Sequence, residues 1–77
     1  MDNLATLRDA VLTGDAATAA AAARQALSDG VEPMTIVTQG FTPALKEAGR
    51  LFEEGEYFVP ELLVSARASQ AVFDIIR

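Results

Sequence analysis

One run of apolar residues constrains the fold class more than any other feature of the sequence. From position 34 to position 52, apolar side chains recur every three or four residues, which is the spacing of one face of an α-helix. The run consists of Met34, Val37, Phe41, Leu45, Ala48 and Phe52. Gly40 and Pro43 interrupt it, and Pro43 cannot donate a backbone hydrogen bond to the carbonyl of Gln39. We therefore expect one long helix with a kink or a short break near residues 40–43.

Two further helices are predicted before this run, joined by a very short turn. Asp2 or Asn3 can cap the first helix, and Gly14 can end it in the left-handed conformation. Asp15 follows at once and can cap the second helix. That second helix is rich in alanine, whose small side chain allows a neighbouring helix to approach closely, and Leu27 is its one large apolar residue. The two helices are expected at roughly 3–13 and 16–28.

A last helix is predicted to begin at Pro60, because proline suits the first turn of a helix. Its buried face is expected to carry Leu62, Leu63, Ala66, Ser69, Phe73 and Ile76. No segment shows the alternating pattern of a strand. The sequence therefore predicts a single all-α domain over residues 1–77, a four-helix up-down bundle with a kinked or broken third helix.

The turn before the last helix is unusually apolar. Gly55 is expected to end the third helix, and Tyr57, Phe58 and Val59 follow directly. Turns lie at the surface and are normally polar, so three large apolar residues here need something to cover them. Phe58 is expected to pack onto Leu63 as a hydrophobic staple. The rest of the turn is predicted to form an exposed apolar surface.

Composition excludes several classes of function. The chain has no histidine and no cysteine, which rules out the usual catalytic triads and thiolate metal sites within it. The net charge of −5 argues against a nucleic-acid partner. No apolar run is long enough to span a membrane and no signal peptide is recognisable, so a cytoplasmic location is the default expectation. The acidic cluster of Glu53, Glu54 and Glu56 is best interpreted as a solvated turn.

The stretch from Gly49 to Arg67 resembles the helical cap domain of corrinoid-binding proteins. The similarity lies in the pattern Gly49-x-x-Phe52-x-x-Gly55-x-Tyr57-Phe58-Val59-Pro60-Glu61-Leu62-Leu63-x-Ser65-Ala66-Arg67. Gly14-Asp15, Gly30-x-x-Pro33 and Gly40-Phe41-x-Pro43 add to the resemblance, which covers essentially the whole chain. In methionine synthase and in the small corrinoid carrier proteins of methyltransferase systems, this cap precedes a cobalamin-binding Rossmann-like domain.

The resemblance implies a function for the apolar turn. Phe52, Val59 and Leu62 would press on the upper, methyl-bearing face of cobalamin, shielding it during methyl transfer between methyltransferases. The protein would then be a non-catalytic carrier component, and this chain alone would perform no catalysis. Its partners would be the cobalamin-binding domain of the same protein and corrinoid-dependent methyltransferases. The cobalt-ligating histidine motif of that domain is missing here, so we expect cobalamin to bind to the longer protein and not to this chain alone.

Other interpretations of the same residues remain open. Phe52 lies at the end of the apolar run and could simply close one end of the bundle core. The surface formed by residues 52–62 could instead join two copies of the chain, because an exposed apolar patch favours self-association. A cobalamin-sensing regulatory domain is a third alternative, since such regulators resemble the carriers in this bundle.

Overall fold

The computed structural model describes residues 3–77 and consists of helices and short turns over that range. The helical segments are α1 Asn3–Thr13, α2 Ala16–Ser28, α3 Pro33–Ile36, a π-helical turn Val37–Phe41, α4 Thr42–Glu53 and α5 Val59–Ile76. Because α3, the π turn and α4 follow one another without a gap, they form one continuous third helix. The prediction of an all-α fold with four helices is therefore confirmed. The predicted alternative cap at Asp2 lies outside the described residues.

The turn between α1 and α2 has the geometry that its sequence predicts. Gly14 adopts a φ of 82°, in the left-handed region that ends α1. Asp15 caps α2, and its Oδ1 accepts a hydrogen bond from the backbone N–H of Thr18 at 3.1 Å. Hydrogen bonding to Thr18 lowers the pKa of the Asp15 carboxyl. The cap therefore stabilises the fold above the ordinary carboxyl pKa, and this contribution is lost as the pH falls through the lowered value.

The core of the bundle is built mainly from small side chains. The buried face of α2 consists of Ala19, Ala22, Ala23 and Ala26. This face packs against α1, which contributes the fully buried Leu7 and Val11, and against α5. Leu27 is half-buried and lies against the same core, as expected of the single large residue of α2. The close approach that alanine allows explains how a short chain can build a continuous core.

The third helix buries only part of the apolar run that the sequence predicts as one face, namely Phe41 and Ala48. Met34 is 66% exposed, and Leu45 and Phe52 are also exposed. The residues that it buries are Ile36, Gly40, Phe41, Ala44 and Ala48. For Leu45 and Phe52 the physical reason is the π turn, which accommodates about one extra residue and so rotates α4 by about 100°, whereas Met34 lies before the turn, in α3. An apolar run aligned for a regular α-helix is thereby divided between the core and the surface.

The π turn also explains how the helix passes Pro43 without breaking. Proline in the first turn of α4 leaves the carbonyl of Gln39 without its usual helical donor. Arg8 of α1 fills this role, donating from Nη1 to the Gln39 carbonyl oxygen at 2.7 Å. The expected interruption near residues 40–43 is therefore a π turn held from outside by α1, and the chain stays helical through it.

Helix α5 likewise buries smaller residues than predicted. Its buried face consists of Ser65, Ala68, Ser69 and Val72, whereas Leu63, Ala66 and Phe73 are exposed. Serine can be buried here because each hydroxyl finds an acceptor: Ser65 Oγ donates to the Leu12 carbonyl at 2.9 Å and Ser69 Oγ to the Ser65 carbonyl at 3.0 Å. Small side chains on α5 match the alanine face of α2, so the large apolar ones remain outside.

Candidate functional site

The turn between α4 and α5 is attached firmly to the rest of the bundle. Gly55 turns the chain at a φ of 80°. The hydroxyl of Tyr57 then donates to the carbonyl oxygen of Leu12 at 3.0 Å, and Ser65 donates to the same oxygen. Leu12 lies in the last turn of α1, where carbonyl groups lack helical donors. Tyr57 therefore anchors the turn to α1, and it is half-buried.

The two residues that follow Tyr57 are directed to the surface. The backbone N–H of Phe58 donates to Glu61 Oε1 at 2.6 Å, which fixes the first turn of α5. Val59 is 57% exposed, and Phe58 is more exposed still. Phe58 and Leu63 are both largely exposed, and the expected packing of one onto the other stays a prediction. A rigid helix start thus presents apolar side chains that the chain itself does not cover.

Helix α4 contributes to the same surface. The rings of Phe41 and Phe73 lie 5.5 Å apart between centroids, tilted by 56°. This contact identifies the flank of α4 that faces α5. Leu45 and Phe52 follow Phe41 at helical spacings of four and eleven, so they lie along this flank. Phe52 is 44% exposed, and it therefore stands beside α5 at the surface and does not close the core.

Helix α5 forms the other side of the surface to which α4 contributes. Val59, Leu62 and Phe73 share the flank that faces α4, and Leu63 borders it. Together these side chains form what we call the α4–α5 apolar face. It consists of Leu45, Phe52, Val59, Leu62, Leu63 and Phe73. The helical spacings thus place the three residues predicted from the resemblance, Phe52, Val59 and Leu62, on one surface; Leu62 is half-buried and the other two are exposed.

Three members of the face were not predicted as surface residues. Leu45 was expected on the apolar face of the third helix, and Leu63 and Phe73 on the buried face of the last helix. The sequence does indicate that some of these residues are exposed. Helix α5 carries more large apolar residues than one face against an alanine-rich helix can bury. Ser65 and Ser69 at helical spacing mark the face that packs closely. Ser69 was correctly expected on the buried face, and adding Ser65 to that face would have turned it away from Leu63 and Phe73.

Charged groups on α4 occupy a different side of the helix. Arg50 bonds through Nη1 to Glu54 at 2.6 Å and also pairs with Glu47. The Arg50 hydrogen bond lowers the pKa of the Glu47 carboxyl, and the two carboxylates raise the pKa of Arg50. These groups follow one another at spacings of three and four, a face that does not include Leu45 or Phe52. The α4–α5 apolar face is therefore free of this ion-pair network.

The remaining surface offers little competing chemistry. Within residues 3–77, no group of three or more acidic side chains is arranged to hold a metal ion. An open depression lined by Thr6, Asp9, Ala10, Thr13, Asp15 and Thr18 belongs to α1 and α2 alone. No helix in the described part of the chain is long and apolar enough to cross a membrane. The α4–α5 apolar face is accordingly the candidate site, and it can bind an apolar surface and exclude water.

Comparison with known proteins points to one family. Residues 4–77 match a family model described as a B12 binding domain. Trimethylamine corrinoid protein 1 of Methanosarcina mazei is 36% identical over 74 residues, covering 96% of this chain and 34% of that protein. Monomethylamine corrinoid protein 1 of Methanosarcina acetivorans is 36% identical over 70 residues, covering 91% of this chain and 32% of that protein.

A solved structure agrees in fold. The monomethylamine corrinoid protein of Methanosarcina barkeri matches with a TM-score of 0.86 at 30% sequence identity. The match covers 90% of this chain and 32% of that one. The chain thus spans about a third of the length of the relatives that it matches.

Proposed function

The chain belongs to the B12 binding domain family, and on that basis we propose that it is the helical cap of a corrinoid carrier protein. The cap covers the upper face of a corrinoid that a second domain of the same protein holds. Methyl transfer then takes place between this carrier and corrinoid-dependent methyltransferases. The relatives named for trimethylamine and monomethylamine suggest methylamines as the class of methyl donor.

The observation that carries this proposal is the α4–α5 apolar face. The methyl group on cobalt is apolar on its outer side, and it needs a matching apolar cover. The face supplies one across two packed helices, and its charged neighbours Glu47, Arg50 and Glu54 are satisfied elsewhere. The residues present therefore fit the group that the family implies.

Within this cover, Phe52 and Val59 form the contact surface and Leu62 supports them from below. When bound, the corrinoid supplies the cobalt that accepts and releases the methyl group. These side chains exclude water from that position. Tyr57 holds the turn to α1, so that Val59 is presented from a fixed backbone.

The size of the contact suits a cover that must also open. Burying the exposed part of each of three such side chains contributes about 1 kcal/mol. The sum of about 3 kcal/mol favours the closed arrangement about a hundredfold. That is enough to protect the methyl group most of the time, while still allowing a methyltransferase to displace the cap.

The direct test uses the longest native protein that contains this chain. Methylcobalamin is titrated into it, and binding is measured by visible absorbance. We expect a saturable spectral change with one corrinoid bound per chain. The 77-residue chain alone is expected to bind far more weakly, because the cap contributes only the upper face. Absence of any saturable change with the longer protein would contradict the proposed function.

A second candidate function is self-association, and the exposure of the same face favours it. Two copies of the chain could cover each other's α4–α5 apolar faces. In that case the 77-residue chain would gain mass with concentration in size-exclusion chromatography with light scattering, and Phe52→Asp would return it to a monomer. A mass that stays monomeric and unchanged by Phe52→Asp would exclude this candidate.

A further inference from the structure

Neither packing nor backbone conformation within the bundle requires a glycine at position 49. It lies in the middle of α4, where glycine is less favourable than alanine because it loses more backbone entropy. It is not among the glycines with positive φ, so no special backbone conformation requires it. A Cβ built at this position meets nothing within 4 Å. By contrast, a Cβ at Gly40 would meet Leu7 at 2.9 Å, which explains that glycine by packing.

The position of Gly49 places it within the α4–α5 apolar face. It follows Leu45 by four residues and precedes Phe52 by three, so it lies between them on the same flank of the helix. A residue with no side chain at this point leaves a notch between two large side chains. The bare backbone of α4 can be approached there more closely than anywhere else on the flank.

We propose that Gly49 is the position at which the covered corrinoid comes closest to α4. This inference rests on the proposed function. Glycine is used where a turn needs positive φ or where another group must approach the backbone closely, and the first reason does not apply here. The notch receives a part of the corrinoid that projects from the ring plane, while Leu45 and Phe52 rest on either side. Any side chain at this position would hold α4 away from the ring.

The first part of the test concerns stability without the corrinoid. In the 77-residue chain, Gly49→Ala is expected to raise the melting temperature by about 4 °C, because alanine favours the helix and the added methyl group meets nothing. A lower melting temperature would overturn the proposal, since the glycine would then be needed within the bundle itself.

The second part of the test measures how well the cap protects the methyl group of bound methylcobalamin. In the native protein loaded with methylcobalamin, Gly49→Ala should speed loss of the methyl group under light by about fivefold, and Gly49→Leu by more. The reason is that a displaced cap lets the cleaved methyl group escape instead of recombining. Ala21→Leu adds the same bulk to an exposed position on α2 and should leave the rate unchanged.

The outcomes separate this inference from the proposed function. A rate for Gly49→Leu equal to that of the unmodified protein would overturn the inference. If Phe52→Asp still raised the rate in the same assay, the cap function would stand and only the role of Gly49 would fall. If neither variant changed the rate, both proposals would fall together.

Discussion

Gly14→Ala should lower the free energy of unfolding of the chain by about 2–5 kcal/mol, from two separate causes. Gly14 has a φ of 82°, and a left-handed conformation costs other residues about 1–2 kcal/mol. A Cβ there would also lie 2.4 Å from Val64 Cγ2 and 2.6 Å from Val64 Cβ. Relieving such a clash requires α5 to shift, and overpacking of this kind costs about 1–3 kcal/mol. Urea unfolding followed by circular dichroism measures the loss.

Gly30→Ala is the matched control for Gly14→Ala. Gly30 has a φ of 89°, yet a Cβ there meets nothing within 4 Å, so this variant should lose only the conformational part. Adding Val64→Ala to Gly14→Ala should recover a small part of the loss, because it removes the contact with Cγ2 while the Cβ of residue 64 remains. Equal losses for Gly14→Ala and Gly30→Ala would show that the contact between the α1–α2 turn and α5 is not tight.

Phe52→Asp should largely abolish covering of the corrinoid in the native, methylcobalamin-loaded protein. Closing the cap would press an unpaired carboxylate against an apolar surface, which costs several kcal/mol. Since the closed state is favoured only about a hundredfold, most of the protein would remain open. Loss of the methyl group under light should therefore speed up by about a hundredfold.

Two further variants test whether faster photolysis requires the charge to lie on the α4–α5 apolar face. Ala21→Asp adds the same charge at an exposed position on α2 and should leave the photolysis rate unchanged. Phe52→Leu keeps an apolar side chain and should raise the rate only slightly. A rate for Phe52→Asp that matches Ala21→Asp would mean that the α4–α5 apolar face does not cover the corrinoid.

The number of helices and most of their ends could be predicted from the sequence, because capping, glycine and proline residues mark them locally. Asp15 accepts its capping bond, Gly14 and Gly55 adopt positive φ, and Pro60 lies in the first turn of α5. The register of the third helix does not follow in this way. It depends on a π turn held by the bond from Arg8 to the Gln39 carbonyl, a contact between residues 31 positions apart. Periodicity counted along one segment cannot detect such a contact.

The apolar turn before α5 predicted an exposed apolar surface, and Phe58 and Val59 are exposed there. Tyr57 is half-buried, unlike Val59, because its hydroxyl donates a hydrogen bond to the Leu12 carbonyl of α1. Leu45 and Phe73 were missed because the π turn and the two buried serines of α5 shift which residues face outward. The roles of Phe52, Val59 and Leu62 toward a corrinoid stay a prediction.

The central claim is that the α4–α5 apolar face covers a bound corrinoid, and a crystal structure of the native protein with methylcobalamin tests it most directly. The account predicts that Phe52 and Val59 lie in van der Waals contact with the methyl-bearing side of the corrin, at about 4 Å. It also predicts that Gly49 faces the ring without an intervening side chain. A structure of the closed protein in which these residues remain in solvent, and another surface covers the corrinoid, would contradict it.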